Sequence, residues 1–301
     1  MTTATDLREG GVWTPGQRLK NDVIHAAIRV ALAIAGVLPR RALSLVCRAL
    51  GAVAYVALGR ERRRVRRRLA AGLGRPQPEK AVRAAFRGAA EVLADTLVLL
   101  DPNEPAGKTL TLPASSSLVF RDALAEGRGV VFVSAHLGSW ERMAALLAAH
   151  GFPVTTVARE SYDPRLTTLY ERVRGPRGVR SIYRGSPGAV RAIWRALDAG
   201  RAVGFLVDLP TRVPSVGCRV FGEDADVALG PAQIALARGT PVLVGTPAPG
   251  SDGVVVRIAR IESDDAATPS ALTSRLADAL TERVAVMPEV WLGLFTPSKS
   301  E

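Results

Sequence analysis

Three scarcities narrow the field before any motif is considered. The 301 residues include two cysteines, Cys47 and Cys218. That is too few for a disulfide framework and fits a reducing compartment. Three histidines, with no Cys/His cluster beside them, exclude the usual ligand sets of a zinc site. No metal and no bound cofactor is implied. Aromatic residues make up 5% of the chain and none interleave with its basic runs. No helix-turn-helix or finger pattern is visible either, which disfavours nucleic acid as the partner of a chain with a net charge of +12. An anionic membrane surface or a phosphorylated substrate fits that charge instead. Long apolar runs are missing as well. Val23–Leu38 and Ala42–Leu58 fall short of the roughly 20 residues a membrane-spanning helix needs. His25, Arg29 and Arg48 interrupt them.

What is present begins with a composition that is 48% hydrophobic, enough for a large core. Residues 1–20 are polar and turn-rich, lack the blocks of a cleavable signal peptide, and are expected to be disordered. The two apolar stretches, split by Pro39-Arg40-Arg41, read as helices lying against a membrane interface with snorkelling arginines, or as buried core helices. Seven arginines follow within Arg60–Arg68. Such a cluster suits an anionic leaflet, at about 1 kcal/mol per basic residue near the surface, or is a solvated helix face. Arg75-Pro76-Gln77-Pro78 then breaks the chain. From Glu79 to Leu100 apolar residues recur at spacings of three and four, which predicts a helix. Residues 101–118 read as a loop.

From Leu118 helix and strand alternate, which predicts an α/β sheet with short connections. Strands are expected at 129–135, 154–158, 202–207, 242–245 and 254–258. Helices are expected at 119–127, 140–150, 162–173, 189–199, 231–238 and 270–287. Trp140 and Trp194 read as core. Three of the strands end in polar residues, His136, Arg159 and Asp208. Parallel neighbours would bring all three to one rim of the sheet, where open α/β sheets bind ligands. Glu141 follows His136 by five residues, in the first turn of the next helix. A carboxylate there can hold the imidazole as a general base, although Glu at a helix start also simply suits the helix dipole.

The run His136-Leu-Gly-Ser-Trp-Glu141 resembles the first motif of the lysophospholipid acyltransferase superfamily: His, four residues, then Asp or Glu. The nearest branch looks like the bacterial lipid A lauroyl/myristoyl acyltransferases, with the phosphatidylinositol mannoside acyltransferases also similar. Arg159, Asp208, Val220-Phe221-Gly222, Gly230-Pro231-Ala232, Gly239-Thr240-Pro241-Val242-Leu243 and Pro288-Glu289-Val290-Trp291 follow the branch's pattern in order. Two departures stand out. Leu292-Gly293-Leu294-Phe295 replaces an aromatic and basic tail, and Leu209-Pro210-Thr211-Arg212 replaces a polar, Gly-containing loop.

The resemblance implies a mixed, mostly parallel central sheet flanked by helices, like that of glycerol-3-phosphate acyltransferase, with apolar membrane-associating helices before it. Residues 21–75 would form that helical segment, 76–295 the α/β acyltransferase domain, and 296–301 a tail. It implies transfer of a fatty acyl chain from an acyl carrier protein or coenzyme A thioester to a hydroxyl or amine of a lipid or glycolipid acceptor. The setting would be the cytoplasmic face of the inner membrane, peripheral or monotopic. His136 would be the base and Glu141 its orienting acid. Amides near Gly138 and Ser139 would bind the oxyanion, with Arg159 a second candidate there or a grip on phosphate. Asp208 would position the acceptor or serve structure. A serine acyl-enzyme through Ser134 or Ser139 lacks the nucleophile-elbow context. Two other readings remain: a basic membrane- or nucleic-acid-binding protein without catalysis, and a thioesterase on the same fold.

Overall fold

A computed structural model describes residues 12–161, 163–210, 213–262 and 268–297. Residues 1–11 and the Thr211-Arg212 pair lie outside them. Helix α1 (Pro15–Val37) starts at a Thr14/Gln17 capping box with proline in its first turn, so order begins inside the segment expected to be disordered. α2 (Arg40–Ala57) and α3 (Gly59–Leu73) follow, then α4 (Glu79–Val98). No single helix among the described residues is long and apolar enough to cross a membrane. Only α2 and α3 together, bent by 94°, reach that length and composition. Both α1 and α2 expose large aliphatic side chains, including Val30, Val37, Leu45, Leu50, Val53 and Val56.

The arginine cluster is divided: Arg60, Arg63, Arg66 and Arg67 are exposed, as a solvated or leaflet-facing helix side would be, while others are tied to the body. Arg62 donates to the Tyr55 carbonyl, Arg64 to that of Phe295, and Arg66 pairs with Glu79. Arg67 and Arg68 both face Glu223. Val65 and Leu69, on the inner side of α3, share one core with Phe221, Leu276 and Trp291, so this helix packs into the α/β body. The spacing explains it: positions 65, 68 and 69 fall on one helical stripe.

That body is a seven-stranded sheet. Its strands, in chain order, are β1 (Leu110–Thr111), β2 (Val130–Ser134), β3 (Val154–Arg159), β4 (Arg180–Arg184) and β5 (Ala202–Leu206). After a separate hairpin, β6 (Ser215–Val220) and β7 (Glu223–Ala228), come β8 (Val242–Gly250) and β9 (Gly253–Ile261). The spatial order is β1-β9-β8-β2-β5-β3-β4, and every pairing is parallel except β8 with β9. Helices α5 (Ala114–Ala125) and α6 (Trp140–Ala149) cover one face, α9 (Gly230–Arg238) and α10 (Pro269–Val286) the other. Helices α7 (Pro164–Arg174) and α8 (Ala189–Asp198) connect the strands toward the β4 edge.

The central strand β2 is buried throughout and reads as unbroken apolar sequence for that reason. Val131 and Val133 enter the core under α9 and α10, while Val130 and Phe132 enter the one under α5 and α6. Strands β1, β4, β6 and β7 were not expected, and β1 lies in the stretch 101–118 read as a loop. Arg180-Ser-Ile-Tyr-Arg184 is a charged edge strand, and Glu223-Asp-Ala-Asp carries residues that strands usually avoid.

Candidate active site

Strands β2 and β5 pair in register from Val130 with Ala202 to Ser134 with Leu206. His136 and Asp208 each stand two residues beyond that last rung, so the parallel ladder itself sets them side by side. His136 Nδ1 lies 2.9 Å from Asp208 Oδ1, and the His136 backbone N–H donates to Oδ2 at 2.9 Å. Trp291 Nε1 donates to the same Oδ2 at 2.7 Å. An ionised carboxylate only accepts hydrogen bonds, so Nδ1 carries the ring proton and Nε2 is left with a lone pair. Asp208 is buried, and burial pushes its carboxyl up. The imidazole, when it carries its second proton, and these three donors more than offset that and hold it below the ordinary 3.8.

This pairing corrects two expectations. Asp208, and not Glu141, holds the His136 ring. Glu141 instead forms a two-pronged ion pair with Arg174, at 2.9 Å to Nε and 2.5 Å to Nη2, and both groups are buried. Burial pulls the Arg174 guanidinium down, yet the Glu141 contacts outweigh it and leave the arginine raised. In the first turn of α6 the Glu141 side chain therefore reaches to α7, away from the imidazole.

The turn between His136 and α6 is fixed from two directions. Gly138 sits at φ +56° with Pro247 behind it, 3.3 Å from where a Cβ would stand, so a side chain there is strained. From the other side the segment Pro288–Phe295 returns along the loop. Gly138 N–H donates to the Val290 carbonyl at 3.0 Å, and Leu292 N–H to the His136 carbonyl at 2.9 Å. The Gly138 amide is thus already occupied. Gly138 and Ser139 line a smaller cavity of about 270 Å³ against α2 and α4, behind the imidazole loop. An oxyanion site at these two residues does not follow from this geometry.

The imidazole, 23% exposed, opens into a cavity of about 690 Å³. Trp140 meets the His136 ring edge-on at 5.0 Å, so it lines the site where a core position was expected. Arg159 is at the rim as expected and is exposed. It pairs in register with Arg184 of β4, whose guanidinium burial and Arg159's charge together pull down. Ser134 lines the cavity too, its hydroxyl buried and without a partner among the described residues. From the mouth an apolar arm runs between the sheet and α6. Its floor is the rung Phe132–Gly204–Thr156, and below that lie Ala202 and Val154. Two side-chain layers down a strand are about 13 Å. Phe120, Met143 and Leu147 close the arm. A base with a fixed tautomer, cationic groups at a rim and a deep greasy arm suit proton transfer on an amphiphilic substrate.

Among the described residues no cluster of His, Cys, Asp or Glu could hold a metal ion. Residues 18–296 match the model of the bacterial lipid A biosynthesis acyltransferase family. No curated protein matches the chain.

Proposed function

Because the chain belongs to the bacterial lipid A biosynthesis acyltransferase family and is therefore an acyltransferase, we propose that it moves a fatty acyl group from a thioester donor to a hydroxyl of a lipid A-type acceptor, with His136 and Asp208 as the base pair. The observation that carries this reading is the Nδ1 contact to a buried carboxylate with the ring opening into the cavity. His136 Nε2 takes the acceptor's hydroxyl proton as its oxygen attacks the thioester carbonyl. Asp208 stabilises the imidazolium that forms. Collapse of the tetrahedral intermediate breaks the carbon–sulfur bond, and His136 returns the proton to the departing thiolate. Arg159 offers its charge at the rim to the oxyanion or to a phosphate of either substrate. The apolar arm beneath His136 takes the acyl chain. Acyl carrier protein and coenzyme A both supply such thioesters.

Membrane association belongs to the same proposal. The aliphatic side chains exposed on α1 and α2, with Arg29, Arg41 and Arg48 among them, favour a monotopic or peripheral seat on the anionic cytoplasmic leaflet of the inner membrane. Arg68 is buried and Arg62, Arg64 and Arg66 are engaged with the body, while Arg60 and Arg63 of α3 stay exposed and can add to that charge.

The test uses purified protein, a radiolabelled acyl thioester and mixed-lipid acceptors, with products read by mass spectrometry. His136→Ala and Asp208→Asn should fold and lose roughly 10²–10⁴-fold in transfer. Full transfer by His136→Ala would remove the reading. Thioester hydrolysis that yields no acylated lipid would make the chain a thioesterase. An acylated phosphatidylinositol mannoside in place of a lipid A-type product would move the acceptor to that branch.

A further inference from the structure

Arg68 is the one member of the basic cluster that lies buried against the site. Its Nε donates to Glu223 at 2.7 Å, and its Nη1 donates to the Gly293 carbonyl and, at 2.9 Å, to Thr296 Oγ1. The guanidinium stacks over the Trp291 ring at 5.4 Å, and Phe221 meets that ring edge-on at 5.3 Å. Trp291 is 1% exposed, and its N–H is the side-chain donor that Asp208 receives besides the imidazole. Its backbone neighbours hold the His136 loop, through a bridge to Leu137 and the bonds from Gly138 and Leu292.

We propose that Arg68 and Trp291 are positioning residues of the acyl transfer: Arg68 clamps the returning segment and the indole, and the indole N–H fixes the rotamer of Asp208, which in turn holds the His136 ring. The inference rests on the base assignment above. A carboxylate side chain has two rotatable bonds and two equivalent oxygens. With Oδ2 engaged by Trp291 and the His136 amide, only Oδ1 is left for Nδ1, so the ring has one orientation. Charged hydrogen bonds to a fully buried acceptor are the strong kind, and the stack pins the indole from its other face. The charged groups that face this assembly are few. Glu223 of β7 neutralises Arg68, with Arg67 beside it. Glu141 with Arg174, and Arg159 with Arg184, lie across the cavity.

Trp291→Phe keeps an aromatic ring, though a smaller one, and removes the N–H. Loss of a hydrogen bond to a charged group should lower kcat about tenfold or more, with KM for the donor little changed. Removing a donor disfavours the bare carboxylate, so the His136–Asp208 pair holds its proton more tightly. The acid limb of the rate profile then moves to higher pH. Arg68→Met, which keeps the stack but not the charge, should shift both in the same direction by less. If Arg68 works through Trp291, the double variant is no worse than Trp291→Phe alone.

A second readout needs no turnover. With three histidines in the chain, the Nδ1 proton of His136 can be assigned in an NMR spectrum by comparison with His136→Ala. It should be sharp and far downfield in the wild type, and broadened or lost in Trp291→Phe. An unchanged ring signal with unchanged kcat in Trp291→Phe would overturn the brace, as would additive losses in the double variant. Because that signal does not depend on transfer, a failed brace is distinguishable from a failed base assignment.

Discussion

Replacing Glu141 separates the two roles open to the acidic end of the His-x4-Glu motif. Its carboxylate and the Arg174 guanidinium are 5% and 9% exposed. Glu141→Gln keeps the shape but leaves the buried guanidinium without its ion-paired carboxylate; what remains are the Ser181 hydroxyl at 3.5 Å, the Tyr170 ring at 5.4 Å and the more distant charge of Glu171. Breaking one side of a buried pair typically costs about 3–5 kcal/mol. At this chain length that is a fall of roughly 6–10 °C in Tm, taking about 2 °C per kcal/mol. Exchanging both partners, Glu141→Gln with Arg174→Met, should recover most of it, since no lone charge then remains. Activity per folded molecule, measured with a saturating acyl donor well below the melting range, should stay within about tenfold of the wild type, against 10²–10⁴-fold for His136→Ala. The reasoning is refuted if Glu141→Gln melts like the wild type yet transfers as poorly as His136→Ala. The motif acid would then serve the imidazole directly, whatever its contact with Arg174.

Two further outcomes follow from the cavity and the exposed helices. Gly204 has room for a Cβ, its nearest neighbour being the Thr155 carbonyl at 3.6 Å, and a larger side chain there stands in the arm between Phe132 and Thr156. Gly204→Leu should therefore cut kcat/KM for long acyl donors by about tenfold or more while sparing the shortest donors; an identical chain-length profile would place the acyl chain elsewhere. Leu50→Glu with Val53→Glu should abolish flotation with anionic vesicles and leave hydrolysis or transfer with water-soluble substrates intact; undiminished flotation would remove α2 from the membrane seat.

Much of the catalytic half was legible because parallel strands buried on both faces announce themselves. Val130–Ser134, Ala202–Leu206 and Val242–Leu243 are runs that fit little else. The polar residues at the ends of β2, β3 and β5 marked His136, Arg159 and Asp208 as one rim, and the sheet order puts β2, β5 and β3 next to one another. What sequence could not supply was which acid meets the imidazole. Glu141 is five residues away and Asp208 72, and proximity along the chain favoured the wrong partner. A usable signal was present: both His136 and Asp208 follow an apolar run by the same offset, which in-register parallel pairing turns into contact. Arg68 of α3 escaped notice for a related reason. Composition counts charges but not the stripe on which they fall, and Arg68 shares its stripe with Val65 and Leu69.

The return of Pro288–Phe295 across the imidazole loop has a consequence for how the molecule matures. The indole meets an aspartate 83 residues upstream, and the loop it pins lies earlier still. On the ribosome, where domains fold as the nascent chain emerges, the sheet has every strand before this stretch leaves the exit tunnel. The base is therefore set only once residues 288–295 have joined the body, the step that also brings Leu292 to the cavity wall.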